Sequence, residues 1–224
     1  MIFPKLQNKK CSYVNLNTLG QQWLEKHQAR FGGHERNMAN PLNVPEITAE
    51  MVEDFHHSLG LGFSHGGYLE DRRELWRESY LEAGDTFIHL GVDINAPAGT
   101  EIAVDFPAEV VFTGDDYPLV GGWGTWAILK HVEIGDYVLF GHLHENLGVY
   151  VGDVLKPGDI LARVGKSPRN GFWYPHVHVQ RLSQLVYQTG LKNKFVELDG
   201  YGKGDIEALK RDFPDPMWYI NFRE

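Results

Sequence analysis

Between about residues 86 and 182 the chain is cut into short pieces. TEIAVDFPAEVVFTG (100–114), GTWAILKHVEIG (124–135), DYVLFGHL (136–143), DVLKPGDILARVG (153–165) and PHVHVQRL (175–182) are rich in β-branched residues and punctuated by Gly, Pro and Asp. Such punctuation leaves no room for long helices and favours short strands joined by tight turns. The 25 glycines of the chain suit those turns, because glycine takes turn conformations without steric cost. The expected fold is therefore β-rich, of the α+β class, with a compact antiparallel sheet over residues 86–185. PAGTEIAV and KPGDILARV each read as a turn followed by a strand. Similar phrases occur in lipoyl-carrier barrels, but no lysine stands at a tight hairpin tip here.

Residues 1–85 read differently, as a mostly helical N-terminal extension. A first helix is expected between a cap at Asn17 or Thr18 and the glycines of FGG (31–33), with Leu19, Trp23, Leu24 and Phe31 on its apolar side. NPLNVPE (40–46) is a linker, since two prolines interrupt any helix or ladder. A second helix follows, with Thr48 as cap, Met51, Val52, Phe55 and Leu59 on one face, and Gly60 as stop. YLEDRRELWRESYLE (68–82) would bury Leu75, Trp76 and Tyr80. Residues 186–224 return to loop, with a short helix in DIEALKRDF (205–213) packed on the core.

The formal net charge is −9 and no Lys/Arg stripe is present, so neither nucleic acid nor an anionic membrane surface is an expected partner. Cys11 stands alone, which excludes an intrachain disulfide framework. The opening MIFPKLQNKKCSYV lacks the apolar core of a signal peptide, and no window approaches a membrane span. A cytoplasmic location is the expectation. The oligomeric state is left open.

The function lies in the histidines. His176 and His178 are two residues apart in a strand-like run and should project from one face. Two imidazoles side by side are poor packing groups, because each ring carries a polar nitrogen that needs a partner. His89 and Asp93 flank a turn after the strand-like TFIHL. On its own that spacing is common, and Asp93 could simply cap the turn. Together, however, the groups meet a demanding specification. A catalytic zinc takes three protein ligands and keeps one position open, and accessory histidines nearby can move protons and stabilise an oxyanion.

Residues 87–181 resemble the lysostaphin-type zinc metallopeptidases, the family of Gly-Gly endopeptidases and peptidoglycan DD-metalloendopeptidases. The resemblance is carried, in the family's own order, by HLGVDINAPAGTEIAV, GGWGTWAILKH, FGHLHENLGVYVGDVLKPGDILARVG and PHVHVQ. It implies that His89, Asp93 and His178 bind Zn2+, and that His142 and His176 act on water and oxyanion. It also implies a peptide or peptidoglycan-like substrate. The lead-in GYLEDRRELWRESYLEAGDTFIHLGVD and the late FPDP are similar to metallopeptidase-like domains fused to some aminotransferase-type proteins. The chain departs from the family at Phe140, where a Tyr is usual, at Gln180, often a Glu, and at His144, often a small hydroxyl residue. No proposed ligand is touched by these changes; substrate preference is.

Several residues admit two readings. Trp123, Trp173 and Tyr174 sit in Gly-rich loops beside the expected site and could wall a substrate cleft or anchor loops to the core. His144 would join them in lining the cleft if its strand continued past His142. His27, His34, His56, His57 and His65 have no metal partner in sequence, and His131 reads as packed. Asn37 and Asn40 could let the extension cover the cleft in a latent form. At the level of function, a zinc metallopeptidase competes with a non-catalytic binding or activator module on the same fold. A cupin-type barrel using His142, His144 and a carboxylate is a third possibility, which leaves His89, Asp93 and the 176–178 pair unexplained.

Overall fold

A computed structural model describes residues 2–31 and 40–220. In chain order it contains β1 (Lys10–Tyr13), α1 (Leu16–Lys26), α2 (Gln28–Phe31), α3 (Pro45–Leu59), β2 (Leu61–Gly66), α4 (Leu81–Gly84), β3 (Ile88–His89), β4 (Val92–Asn95), β5 (Glu101–Ala103) and β6 (Ala108–Asp115). There follow β7 (Thr125–His131), β8 (Tyr137–Leu143), β9 (Val154–Leu155), β10 (Ile160–Arg163), β11 (His176–Leu182), α5 (Gln184–Lys192), β12 (Tyr201–Gly202) and α6 (Ile206–Asp212). Eight strands form one sheet in the order β1-β2-β4-β11-β8-β7-β6-β9. Its pairings are antiparallel except β1 with β2. The chain is β-rich, as the punctuated runs require. All five runs quoted above contain strands.

The extension holds helices, as expected, but it also adds β1 and β2 to the sheet, with Ser64, His65 and Gly66 of β2 registered against Asn95, Ile94 and Asp93. Short, Gly-rich stretches such as LGFSHG show no alternation long enough to announce a strand; the waiting edge of β4 makes one. The helix boundaries also differ from expectation. Asn15 caps α1, accepting from the Thr18 N–H. Helix α3 starts at Pro45, whose missing N–H is tolerated in a first turn, while Thr48 is buried with its hydroxyl on Leu42 O. Gly60 ends α3 in the left-handed conformation, as expected. Residues 68–80 are turns, not helix. Leu75 and Trp76 are buried as expected, but Tyr80 is exposed. α5 falls in a region read as loop; its start is set by Ser183, whose hydroxyl accepts from the Val186 N–H.

Alternation along the strands decides which residues can meet. Val177 and Val179 of β11, Val92 and Ile94 of β4, and Val138 and Phe140 of β8 enter one apolar core with Ile2, Phe3, Phe63 and Tyr219. Their neighbours His176, His178, Asp93 and Gly141 must then face the opposite side. That side is covered by the segments around 67–76 and 198–201, so the polar row is buried too.

Candidate metal centre

His178 stands directly across from Asp93 in the β11–β4 ladder and from Gly141 in the β11–β8 ladder. Directly opposed residues share a face at close range, so the fold places imidazole beside carboxylate. His89 arrives from β3, which pairs with β12 beside the main sheet. Gly91 makes the approach possible, since a Cβ there would lie 2.5 Å from His178 Nε2.

The three groups converge on a point. His178 Nδ1 lies 3.0 Å from both Asp93 Oδ1 and His89 Nε2, and His89 Nε2 lies 3.3 Å from Asp93 Oδ1. The protons on these rings are fixed by their outer partners. The far nitrogen of His89, Nδ1, faces Gly67 O at 3.0 Å; a carbonyl only accepts, so Nδ1 carries the hydrogen and Nε2 a lone pair. His178 Nε2 faces Gln180 Oε1 at 2.8 Å. The Gln180 amide is oriented by donating Nε2–H to Asp199 O at 3.2 Å, so Oε1 must accept and, in the neutral ring, His178 Nδ1 is also a lone pair.

Two imidazole lone pairs and a carboxylate oxygen thus point at each other with no proton between them, an arrangement that repels itself unless a cation sits at the centre. Two ligands about 2.0–2.1 Å from an ion at a tetrahedral angle lie roughly 3.3 Å apart. The observed triangle fits zinc. Among the described residues this is also the one cluster of His, Cys, Asp or Glu with atoms close enough to share a metal.

Electrostatics agree. Burial, followed by the nearby Arg72 charge, lowers His89 to about 3, so its ring stays neutral and able to ligate. Burial alone would raise the Asp93 carboxyl, but the Arg72 guanidinium on its Oδ2 holds the group well below its ordinary value. Asp93 is therefore ionised.

The other two histidines border the same point. His176 donates Nδ1–H to Tyr174 O at 2.8 Å and stacks on the Tyr174 ring at 4.3 Å. Its free Nε2 lies 3.5 Å from Asp93 Oδ1. His142 donates Nδ1–H to Asn170 O at 2.9 Å, again leaving Nε2 free, and its ring is 4.5 Å from that of His176. Burial lowers both histidines from their usual value, His142 strongly, where the neighbouring His176 and His178 add to the effect. His142 holds φ +60°, an uncommon conformation for a side chain of this kind.

These groups open into a cleft of about 530 Å³ whose walls include Trp123, Trp173 and Tyr174. Trp123 packs 5.1 Å from His178 and 5.8 Å from His142. Both tryptophans are tied to backbone carbonyls, Trp123 to Leu198 O and Trp173 to Gly122 O, so they act as wall and anchor at once. His144 is not brought to the cleft. The left-handed turn at His142 breaks the strand alternation that would have put 142 and 144 on one face, and His144 Nδ1 accepts from the Asn146 N–H instead. His131 stacks on Phe106 in the core, and His56 is buried against Ser64. Asn40 is spent on Leu42, Leu75 and Arg77 and does not line the cleft; Asn37 and His34 lie outside the described residues.

Sequence reasoning missed Arg72, which reaches Asp93 from the extension, and Gly67, whose carbonyl holds His89. Gln180 stood out only as a departure from the family. An isolated Arg in a charged run gives no sign that it will be buried.

Residues 87–188 match the model described as Peptidase family M23, so the metallopeptidase resemblance holds over that segment. No curated protein matches the chain. Solved structures similar to parts of it include a mutant catalytic domain of the prophage-encoded M23 protein EnpA from Enterococcus faecalis, 27% identical, covering 43% of this chain and 69% of that one, TM-score 0.37. Another is a zinc-containing peptidase from Vibrio cholerae, 23% identical over 43% of this chain and 27% of that one, TM-score 0.36. The catalytic domain of lysostaphin from Staphylococcus simulans is 21% identical over 59% of this chain and 79% of that one, TM-score 0.39.

Proposed function

We propose that this protein, with its M23-type segment, is a zinc metallopeptidase hydrolysing a peptide bond in a peptide or peptidoglycan-like substrate. The observation that carries the reading is the proton-free convergence of His89 Nε2, Asp93 Oδ1 and His178 Nδ1, bordered by two further imidazoles with free Nε2 atoms. His89, Asp93 and His178 would hold the ion. When bound, zinc supplies Lewis acidity that activates water and polarises a carbonyl.

The chain's own residues do the rest. His142 and His176 are neutral near pH 7, because burial disfavours their charged forms. Either Nε2 can therefore take a proton from the attacking water, and once charged can stabilise the oxyanion or protonate the leaving nitrogen. The Asn170 and Tyr174 carbonyls hold the Nδ1 protons, so each ring presents Nε2 to the cleft. Trp123 and Trp173 wall that space on one side. The testing experiment is elemental analysis after zinc loading and dialysis, on wild type beside Asp93→Ala and His144→Ala. About one zinc per chain, lost in Asp93→Ala and kept in His144→Ala, is expected. A wild type without zinc sinks the reading, and loss only in His144→Ala would move the site.

A further inference from the structure

Two of the three proposed ligand side chains are held from outside the matched segment, by one short stretch of chain that runs from Gly67 to Arg72. Arg72 is wholly buried, with Nη1 on Asp93 Oδ2 at 2.5 Å and Nε on Glu70 Oε2 at 2.8 Å. Nη1 also lies 3.3 Å from the Tyr201 hydroxyl. The guanidinium fits because residue 67 is glycine: a Cβ there would lie 2.1 Å from Arg72 Nη2 and 2.7 Å from His89 Nδ1. The same Gly67 gives its carbonyl to His89.

We propose that Arg72 is a positioning residue of the metal centre, occupying Asp93 Oδ2 so that Asp93 offers Oδ1 alone to the ion. The proposal rests on the zinc reading above. A buried ion pair is a weak source of stability, since desolvation offsets most of the attraction; the geometry gives this one another use. A carboxylate with both oxygens free can rotate and grip an ion with either or both. With Oδ2 held, Oδ1 stays 3.0 Å from His178 Nδ1 and 3.3 Å from His89 Nε2. One-oxygen ligation preserves the open position that catalysis on zinc requires, and outer hydrogen bonds of this kind commonly set ligand orientation. Glu70 balances the Arg72 charge, so the cation does not oppose the ion uncompensated.

The test uses the full chain as the double variant Glu70→Gln/Arg72→Met, which frees Asp93 Oδ2 without also leaving Glu70 a buried unpaired carboxylate, with Arg72→Lys beside it. Zinc affinity is read by competition with a chelator, the coordination number by the visible absorption of the Co2+-substituted protein, and folding by circular dichroism. The expected result is a folded double variant with zinc affinity lowered roughly 10–100-fold and weaker Co2+ absorption, as coordination number rises. Arg72→Lys should recover part of both. A folded variant with wild-type zinc affinity and wild-type Co2+ absorption overturns the proposal. A crystal structure of the zinc-loaded wild type decides it without any variant: one Asp93 oxygen on zinc and Arg72 on the other supports it, and both oxygens on zinc overturns it. A wild type that takes up no zinc removes the metal reading and this proposal together, whereas the other adverse results leave the metal reading standing.

Discussion

His178 has a close contact at each ring nitrogen, and in the neutral ring only the outer one is a hydrogen bond. The outer one, from Nε2–H to Gln180 Oε1, keeps the proton away from the metal side. Gln180→Leu would leave a buried N–H without an acceptor, at a cost of about 1–3 kcal/mol, and would free the ring to take its other tautomer. Zinc affinity should drop roughly 10–100-fold; a leucine variant that binds zinc as wild type does would show the amide to be incidental. His142 makes no such contact with the ligands, so His142→Ala should keep its zinc while peptide hydrolysis falls roughly 10²–10⁴-fold. Parallel loss of metal would make His142 a structural part of the site instead. The grouping of His89, Asp93 and His178 was legible through the family resemblance, because the His89–Asp93 spacing is common by itself and the 176–178 pair alone names no third partner. Arg72 and Gly67 were not, because their roles come from a contact across the fold.

At the scale of elements, α3 is tied to the sheet through a small polar chain. His56 Nε2 meets the Ser64 hydroxyl of β2 at 2.9 Å, and the Asn95 amide of β4 donates to the same hydroxyl at 3.0 Å. With Asn95 Nδ2 donating there, the Ser64 hydroxyl hydrogen remains available to His56 Nε2 whenever that nitrogen carries no proton. Burial, with the neighbouring His57 charge, lowers His56 from 6.5 to about 4. The folded state then binds fewer protons than the unfolded chain between those values. Stability is full above pH 6.5 and is lost as pH falls towards 4, by on the order of 1–2 kcal/mol once solvent screening is allowed for. Urea denaturation of wild type and His56→Asn at pH 7.5 and 5.0 measures it: the variant should lose part of the wild type's pH dependence, and an equal dependence in both would assign it elsewhere. This junction also explains what the chain concealed. The strands of the 100–182 region announce themselves by composition, but LGFSHG becomes a strand only because β4 offers it an edge. Residues 68–80 carry helix-forming types yet stay irregular, with left-handed backbone at Leu69 (φ +56°) and Glu78 (φ +62°).

For the molecule as a whole, the extension is not an appendage to the sheet in energetic terms. Ile2, Phe3 and Phe63 from the first 85 residues are buried in the same core cluster as Val92, Phe140 and Val179, and Tyr219 and Ile220 join from the far end. Each such side chain contributes about 1.5–3 kcal/mol on burial, so losing even one removes a large share of the margin by which a typical domain is stable. The candidate metal centre draws on the same three regions: Gly67 and Arg72 before the matched segment, His89, Asp93 and His178 within it, and the Asp199 carbonyl behind Gln180 after it. Folding of the extension and formation of the site should therefore be one event. Urea unfolding followed by tryptophan fluorescence and by far-ultraviolet circular dichroism should give coincident single transitions, because Trp23 and Trp76 report on the helical layer while Trp123 and Trp126 report on the sheet. Saturating zinc should move both transitions together to higher urea, since an ion that binds only the folded state stabilises all that folds with it. An early fluorescence transition that zinc leaves in place would instead make the extension a separately folding layer, resting on a site that does not need it.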